Sequence, residues 1–111
     1  MDNVKDDAYY LDKIINDIEF MIEHTKGKTK EDIEKDPLLL DSVMFRFIQI
    51  AENNEKLSTE FKMRYKDIPW KAIKGMRNKI VHDYGVVDVS IIYDTITVSV
   101  PDLYGKLKKI L

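Results

Sequence analysis

Val89-Ser90-Ile91-Ile92-Tyr93-Asp94-Thr95-Ile96-Thr97-Val98-Ser99-Val100 decides whether this chain is all-helical or mixed. The segment is rich in β-branched residues, and Ile96-Thr97-Val98-Ser99-Val100 alternates like a strand. A longer period runs through the same residues. Val89, Ile92, Ile96, Val100, Leu103, Leu107 and Ile110 follow one another at steps of three and four. That pattern outlasts an ordinary strand of about five or six residues, and a lone strand would have nothing to pair with. The spacing therefore predicts a helix starting at Asp88 and kinked where Pro101 removes a backbone donor.

The chain upstream supports this reading. Leu11, Ile14, Ile15, Ile18, Met21 and Ile22 form one apolar stripe from Asp7 to about Thr25, and Gly27 stops it. Thr29-Lys30-Glu31-Asp32 has capping-box spacing, so residues 30–35 are predicted as a short helix. Asp36-Pro37 then restarts the chain with a cap and a first-turn proline. Leu40, Val43, Met44, Phe47, Ile48, Ala51, Leu57, Phe61 and Tyr65 carry a stripe to about residue 65. Asn53 and Asn54 interrupt it with poor helix formers and are assigned to the wet face, the alternative being a cleft lining. Asp67-Ile68-Pro69 repeats the start signal, and Trp70, Ile73, Met76 and Ile80 mark a further helix ending near Gly85. The expectation is an all-α antiparallel bundle of four to five helices forming a single domain over residues 1–111.

Composition narrows the function. The chain has 111 residues and no cysteine, which excludes disulfide scaffolds, zinc fingers and iron–sulfur sites. Only two histidines are present, His24 and His82, and they give no metal spacing. No apolar run is long enough for a membrane span and the N-terminus is acidic, so a soluble cytoplasmic protein is expected. The net charge of −2 conceals an asymmetry. Lys62, Arg64, Lys66, Lys71, Lys74, Arg77 and Lys79 face only Asp67 between residues 62 and 79, a local net charge of +6. Such a segment attracts phosphates even on a slightly acidic protein, although a solvated helix face is the commoner origin of a charge run.

Within that segment, Ile68-Pro69-Trp70-Lys71-Ala72-Ile73-Lys74-Gly75-Met76-Arg77-Asn78-Lys79-Ile80-Val81-His82-Asp83-Tyr84-Gly85 contains R-x-x-x-x-H-x-Y as Arg77, His82 and Tyr84. Here the chain closely resembles the HepT-like toxins of the HEPN superfamily. The Ile-Pro-Trp entry, the Gly-Met-Arg-Asn run, Val87-Asp88, the proline-bearing last helix and Tyr10-Leu11-Asp12 share in the resemblance, which covers essentially the whole chain. It implies a HEPN-type helical bundle that homodimerises, bringing two motif copies to one cleft. It also implies a metal-independent RNA endonuclease, without cofactor, acting as the toxin of a toxin–antitoxin pair. The implied antitoxin is a minimal nucleotidyltransferase that transfers AMP to the motif tyrosine or neutralises by binding. Carried over by residue, Arg77 and His82 are catalytic, Asn78 supports them and Tyr84 accepts AMP.

Elementary chemistry agrees with that assignment. RNA is cleaved without metal when its 2′-hydroxyl attacks the adjacent phosphorus, which DNA does not allow. Histidine titrates near neutrality and suits proton transfer. The arginine fork matches phosphate oxygens and the developing charge. If the helix ends near Gly85, His82 lies in its last turn, where the dipole favours the protonated ring, and general acid is the expected role. Lys71, Lys74 and Lys79 are the candidate phosphate contacts.

On an ideal helix Arg77 and Tyr84 share a face, whereas His82 lies about 140° around the axis from Arg77. One undistorted helix cannot aim all three at one phosphate, so either the last turn unwinds or a second subunit completes the site. Gly75 either permits close approach there or is a tolerated oddity. His24 is read as surface near a helix end, Trp70 as a core anchor, and Tyr9, Tyr10, Tyr65, Tyr93 and Tyr104 as core or interface. The competing function is a non-catalytic subunit that presents nucleotide or substrate to a nucleotidyltransferase; an intact Arg77–His82 pair favours the enzyme.

Overall fold

The computed structural model describes residues 6–82 and 88–110, all of them in helices or their connections with no strand among them. Helix α1 (Asp7–Thr25) is capped by the Asp6 carboxylate, which accepts from the Tyr9 amide, and stops ahead of Gly27 at φ 73°. Glycine tolerates this left-handed conformation without a Cβ clash. Helix α2 (Lys30–Glu34) has the predicted capping box, with Thr29 and Asp32 exchanging side-chain and backbone bonds. Helix α3 (Pro37–Lys56) begins with Asp36 as cap and Pro37 in its first turn.

The stripe expected to run to about residue 65 is divided, and the break falls at Leu57–Ser58 rather than at the two asparagines. Helix α3 stops at Lys56, and α4 (Thr59–Arg64) starts afresh with Ser58 as its cap. Ser58 accepts the Phe61 amide while its own amide and hydroxyl both donate to Asp7, at 2.7 Å each. A tertiary partner at the cap thus overrides the local helical period.

Asn53 and Asn54 are also corrected: both are buried rather than on the wet face. Asn53 donates back to the Gln49 carbonyl. Asn54, 1% exposed, donates its amide to the Trp70 carbonyl at 3.1 Å, tying α3 to the start of α5 (Trp70–His82). Its Oδ1 has no hydrogen-bond partner. Trp70 is the anchor expected, packed against the core, its indole N–H donating to the Lys62 and Tyr65 carbonyls.

The C-terminal stretch is helical, as its longer period demands. Asp88 caps α6 (Val89–Asp94), a π-helical turn covers Thr95–Ser99, and α7 (Val100–Lys108) completes it. The disturbance expected at Pro101 appears as this wide turn just ahead of it. Pro101 has no N–H to give the Thr97 carbonyl, and the Val100 amide reaches back five residues to Thr95.

The pairings set the helix directions. Asp7 meets Ser58, Lys56 lies over the Tyr10 ring and Asp17 binds Arg46, so α1 and α3 are antiparallel. Asn54 meets Trp70 at the start of α5, while Ala51 and Glu52, earlier on α3, share a cleft with Asn78 further along α5, so these two helices are antiparallel as well. Tyr104 of α7 closes the bundle by donating to Glu19 of α1. Ile14, Ile18, Met21, Ile33, Val43, Phe47 and Leu107 lie at the centre of one continuous apolar core. Tyr10, Tyr65, Tyr93 and Tyr104 pack against that core, Tyr9 stacks edge-on to Tyr10, and His24 is exposed on the Phe20 ring.

Candidate functional site

Helix α5 carries most of the residues singled out in the sequence. Ile73 is its buried anchor, with Trp70 and Met76 half-buried beside it, while Lys71, Lys74, Asn78 and Lys79 are exposed. Two faces of the helix border different depressions. Lys74 and Asn78 line a cleft of about 300 Å³ against α3, opposite Ala51, Glu52, Glu55 and Lys56. Lys79 instead stands at the rim of a larger groove of about 560 Å³ between α5 and the C-terminal helix. That groove is apolar, floored by Phe47, Ile73, Ile92 and Leu103, with Ile91 and Val98 at 51% and 68% exposure.

The three candidate phosphate lysines are therefore not gathered on one face. Lys74 forms an ion pair with Glu55 at 3.2 Å, and Lys62 approaches the same carboxylate at 3.9 Å. The Lys74 pair is solvent-exposed, where such contacts contribute little and exchange readily for a stronger anion, whereas Lys62 is half-buried. Among the described residues neither Lys71 nor Lys79 has an acidic partner. A Cβ at Gly75 would meet no atom within 4 Å, so no close approach within the chain requires glycine there.

Arg77 and His82 are both placed on α5 by its backbone, and their side chains lie outside the described part. By register, Arg77 follows Lys74 by nearly a turn and immediately precedes Asn78. His82 follows Asn78 by about one turn and is the last residue of the helix. Tyr84 lies outside the described residues. Among the described residues, no group of three or more His, Asp or Glu side chains is placed to hold a metal ion, and no helix is long and apolar enough to cross a membrane.

Glu52 went unremarked in the sequence because it belongs to the acidic remainder that opposes the basic segment. Its only signal there is its place one residue after the stripe position Ala51, which puts it at the border of a buried face. The antiparallel packing of α3 on α5 brings it to the cleft that Asn78 lines.

A protein-family model, Ribonuclease HepT-like, matches residues 14–110. A protein of Caldanaerobacter subterraneus subsp. tengcongensis, provisionally named an RNase, is 39% identical over 92% of this chain and 91% of its own length. The probable ribonuclease HepT of Thermococcus cleftensis is 32% identical over 91% of this chain and 92% of its own. A third relative, from Methanocaldococcus jannaschii, is named both a gamma-glutamylcyclotransferase and, provisionally, an RNase. It is 34% identical over 96% of this chain, which spans 48% of that longer protein. No solved structure gives a significant match.

Proposed function

Because the chain belongs to the HepT-like ribonuclease family, we propose that it is a toxin-type RNA endonuclease working without a metal ion. The observation that carries this reading is the family match across residues 14–110, with R-x-x-x-x-H-x-Y complete inside it at Arg77, His82 and Tyr84. In this reading Arg77 binds the scissile phosphate and stabilises the charge that builds on its oxygens. His82 protonates the departing 5′-oxygen. Asn78 holds the substrate beside them, and Lys71, Lys74 and Lys79 attract the backbone, Lys74 exchanging Glu55 for phosphate.

The working unit is a homodimer. The apolar groove between α5 and the C-terminal helix exposes Ile91 and Val98, the kind of surface that a partner covers. A twofold pairing along this side brings two copies of α5 together and lets one protomer's His82 serve the other's Arg77. A minimal nucleotidyltransferase is the antitoxin. It moves AMP from ATP to the Tyr84 hydroxyl with release of pyrophosphate, placing a charged bulky group two residues from His82.

The test is cleavage of total cellular RNA by the purified chain and by His82→Ala. Wild type cleaves, and the variant loses cleavage while keeping its melting temperature; full cleavage by His82→Ala removes the reading. With the partner and ATP, intact-mass measurement adds AMP to wild type and none to Tyr84→Phe.

A further inference from the structure

In-line attack at phosphorus needs two proton transfers on opposite sides, one from the attacking 2′-oxygen and one to the departing 5′-oxygen. His82 supplies the second, which leaves the first without a named residue. The cleft between α3 and α5 holds two carboxylates, Glu52 and Glu55. Glu55 is already engaged by Lys74 and Lys62. Glu52 is exposed and has no ion-pair partner among the described residues. It shares its cleft with Asn78, the residue directly after Arg77 and one turn before His82. A phosphate held at the Arg77–Asn78 position thus has a free carboxylate on the α3 side, with His82 supplied by the other protomer of the proposed dimer.

We propose that Glu52 is the general base of the reaction, an inference that rests on the ribonuclease reading above. Its carboxylate takes the proton of the 2′-hydroxyl as the O2′–P bond forms. The P–O5′ bond breaks as the imidazolium of His82 gives its proton to O5′. The products are a 2′,3′-cyclic phosphate and a 5′-hydroxyl, and solvent then returns the two residues to their starting protonation. The charged groups around Glu52 are Glu55 and Lys56 on its own helix and Lys74 on α5.

The experiment compares initial cleavage rates of total cellular RNA across pH for wild type, Glu52→Gln, Glu52→Asp and the distant control Glu23→Gln, with binding to a labelled single-stranded RNA read separately. Glu52→Gln is expected to lower the rate by about 10²–10⁴-fold, the usual contribution of a positioned base. It should also flatten the acid limb of the pH profile and leave RNA binding within about threefold. Glu52→Asp retains the acid limb at reduced rate, and Glu23→Gln follows wild type. Glu52→Gln cleaving at the wild-type rate with an unchanged acid limb overturns the assignment and leaves the base to a second imidazole. If His82→Ala is inactive in that same preparation, the ribonuclease reading stands without Glu52. A wild-type chain that leaves RNA intact overturns both.

Discussion

In the proposed reaction Arg77 does what a lysine cannot, which makes its exchange informative. Arg77→Lys keeps the charge but loses the planar fork that grips two phosphate oxygens at once. The cleavage rate is expected to fall about 10²–10³-fold, the scale for one lost transition-state donor, with little change in melting temperature. Asn54 makes the opposite prediction. Asn54→Ala removes the amide bond to Trp70 and opens a small void where α3 meets α5, so unfolding by denaturant should show about 1–3 kcal/mol lost. At this scale the family was legible from the motif, because its residues are close in sequence and chemically unusual together. Glu52 and Asn54 were not, since what distinguishes them is the helix packed against them. An asparagine in a helical stripe reads as polar surface until a distant carbonyl, here that of Trp70, accounts for its burial.

Helix starts were the most legible feature, because a cap is local chemistry. Thr29, Asp36 and Asp88, each marked in the sequence as a helix start, accept a backbone amide there. The division at Leu57–Ser58 was hidden, because the residue that fixes it, Asp7, lies at the far end of the sequence. Ser58→Ala is expected to cost about 1 kcal/mol, the usual worth of a helix cap, measured by thermal or denaturant unfolding. Helix α2 carries a pH signature. Hydrogen bonds from the Thr29 amide and then its hydroxyl hold the Asp32 carboxyl below its ordinary pKa. The unfolded chain binds that proton more readily, so the contribution is present above the unfolded pKa and fades as pH falls through the folded one. Asp32→Asn should accordingly show a shallower loss of stability on acidification than wild type. The wide turn before Pro101 was legible as a disturbance but not in kind, since proline fixes only which bond is lost.

At the scale of the whole molecule, the C-terminal helix is held to α1 by the apolar core and by Tyr104 donating to Glu19 at 2.7 Å. That bond raises the Tyr104 pKa above its ordinary value. Its stabilising contribution is complete below about pH 10, where an unfolded tyrosine titrates, and is lost as pH rises through the folded value. Tyr104→Phe should flatten the alkaline limb of the stability profile. Assembly makes a sharper prediction. If each site draws on both protomers, Arg77→Ala and His82→Ala chains unfolded and refolded together regain about a quarter of wild-type cleavage, since about half of the dimers then carry one intact site. Sites contained within single protomers regain none. The central claim, that an imidazole on the basic helix cleaves RNA, is tested most directly by comparing wild type with His82→Ala on total cellular RNA at equal concentration and matched melting temperature. Wild type alone is expected to yield fragments ending in 2′,3′-cyclic phosphate; equal fragmentation by both proteins, or by neither, would contradict a catalytic His82.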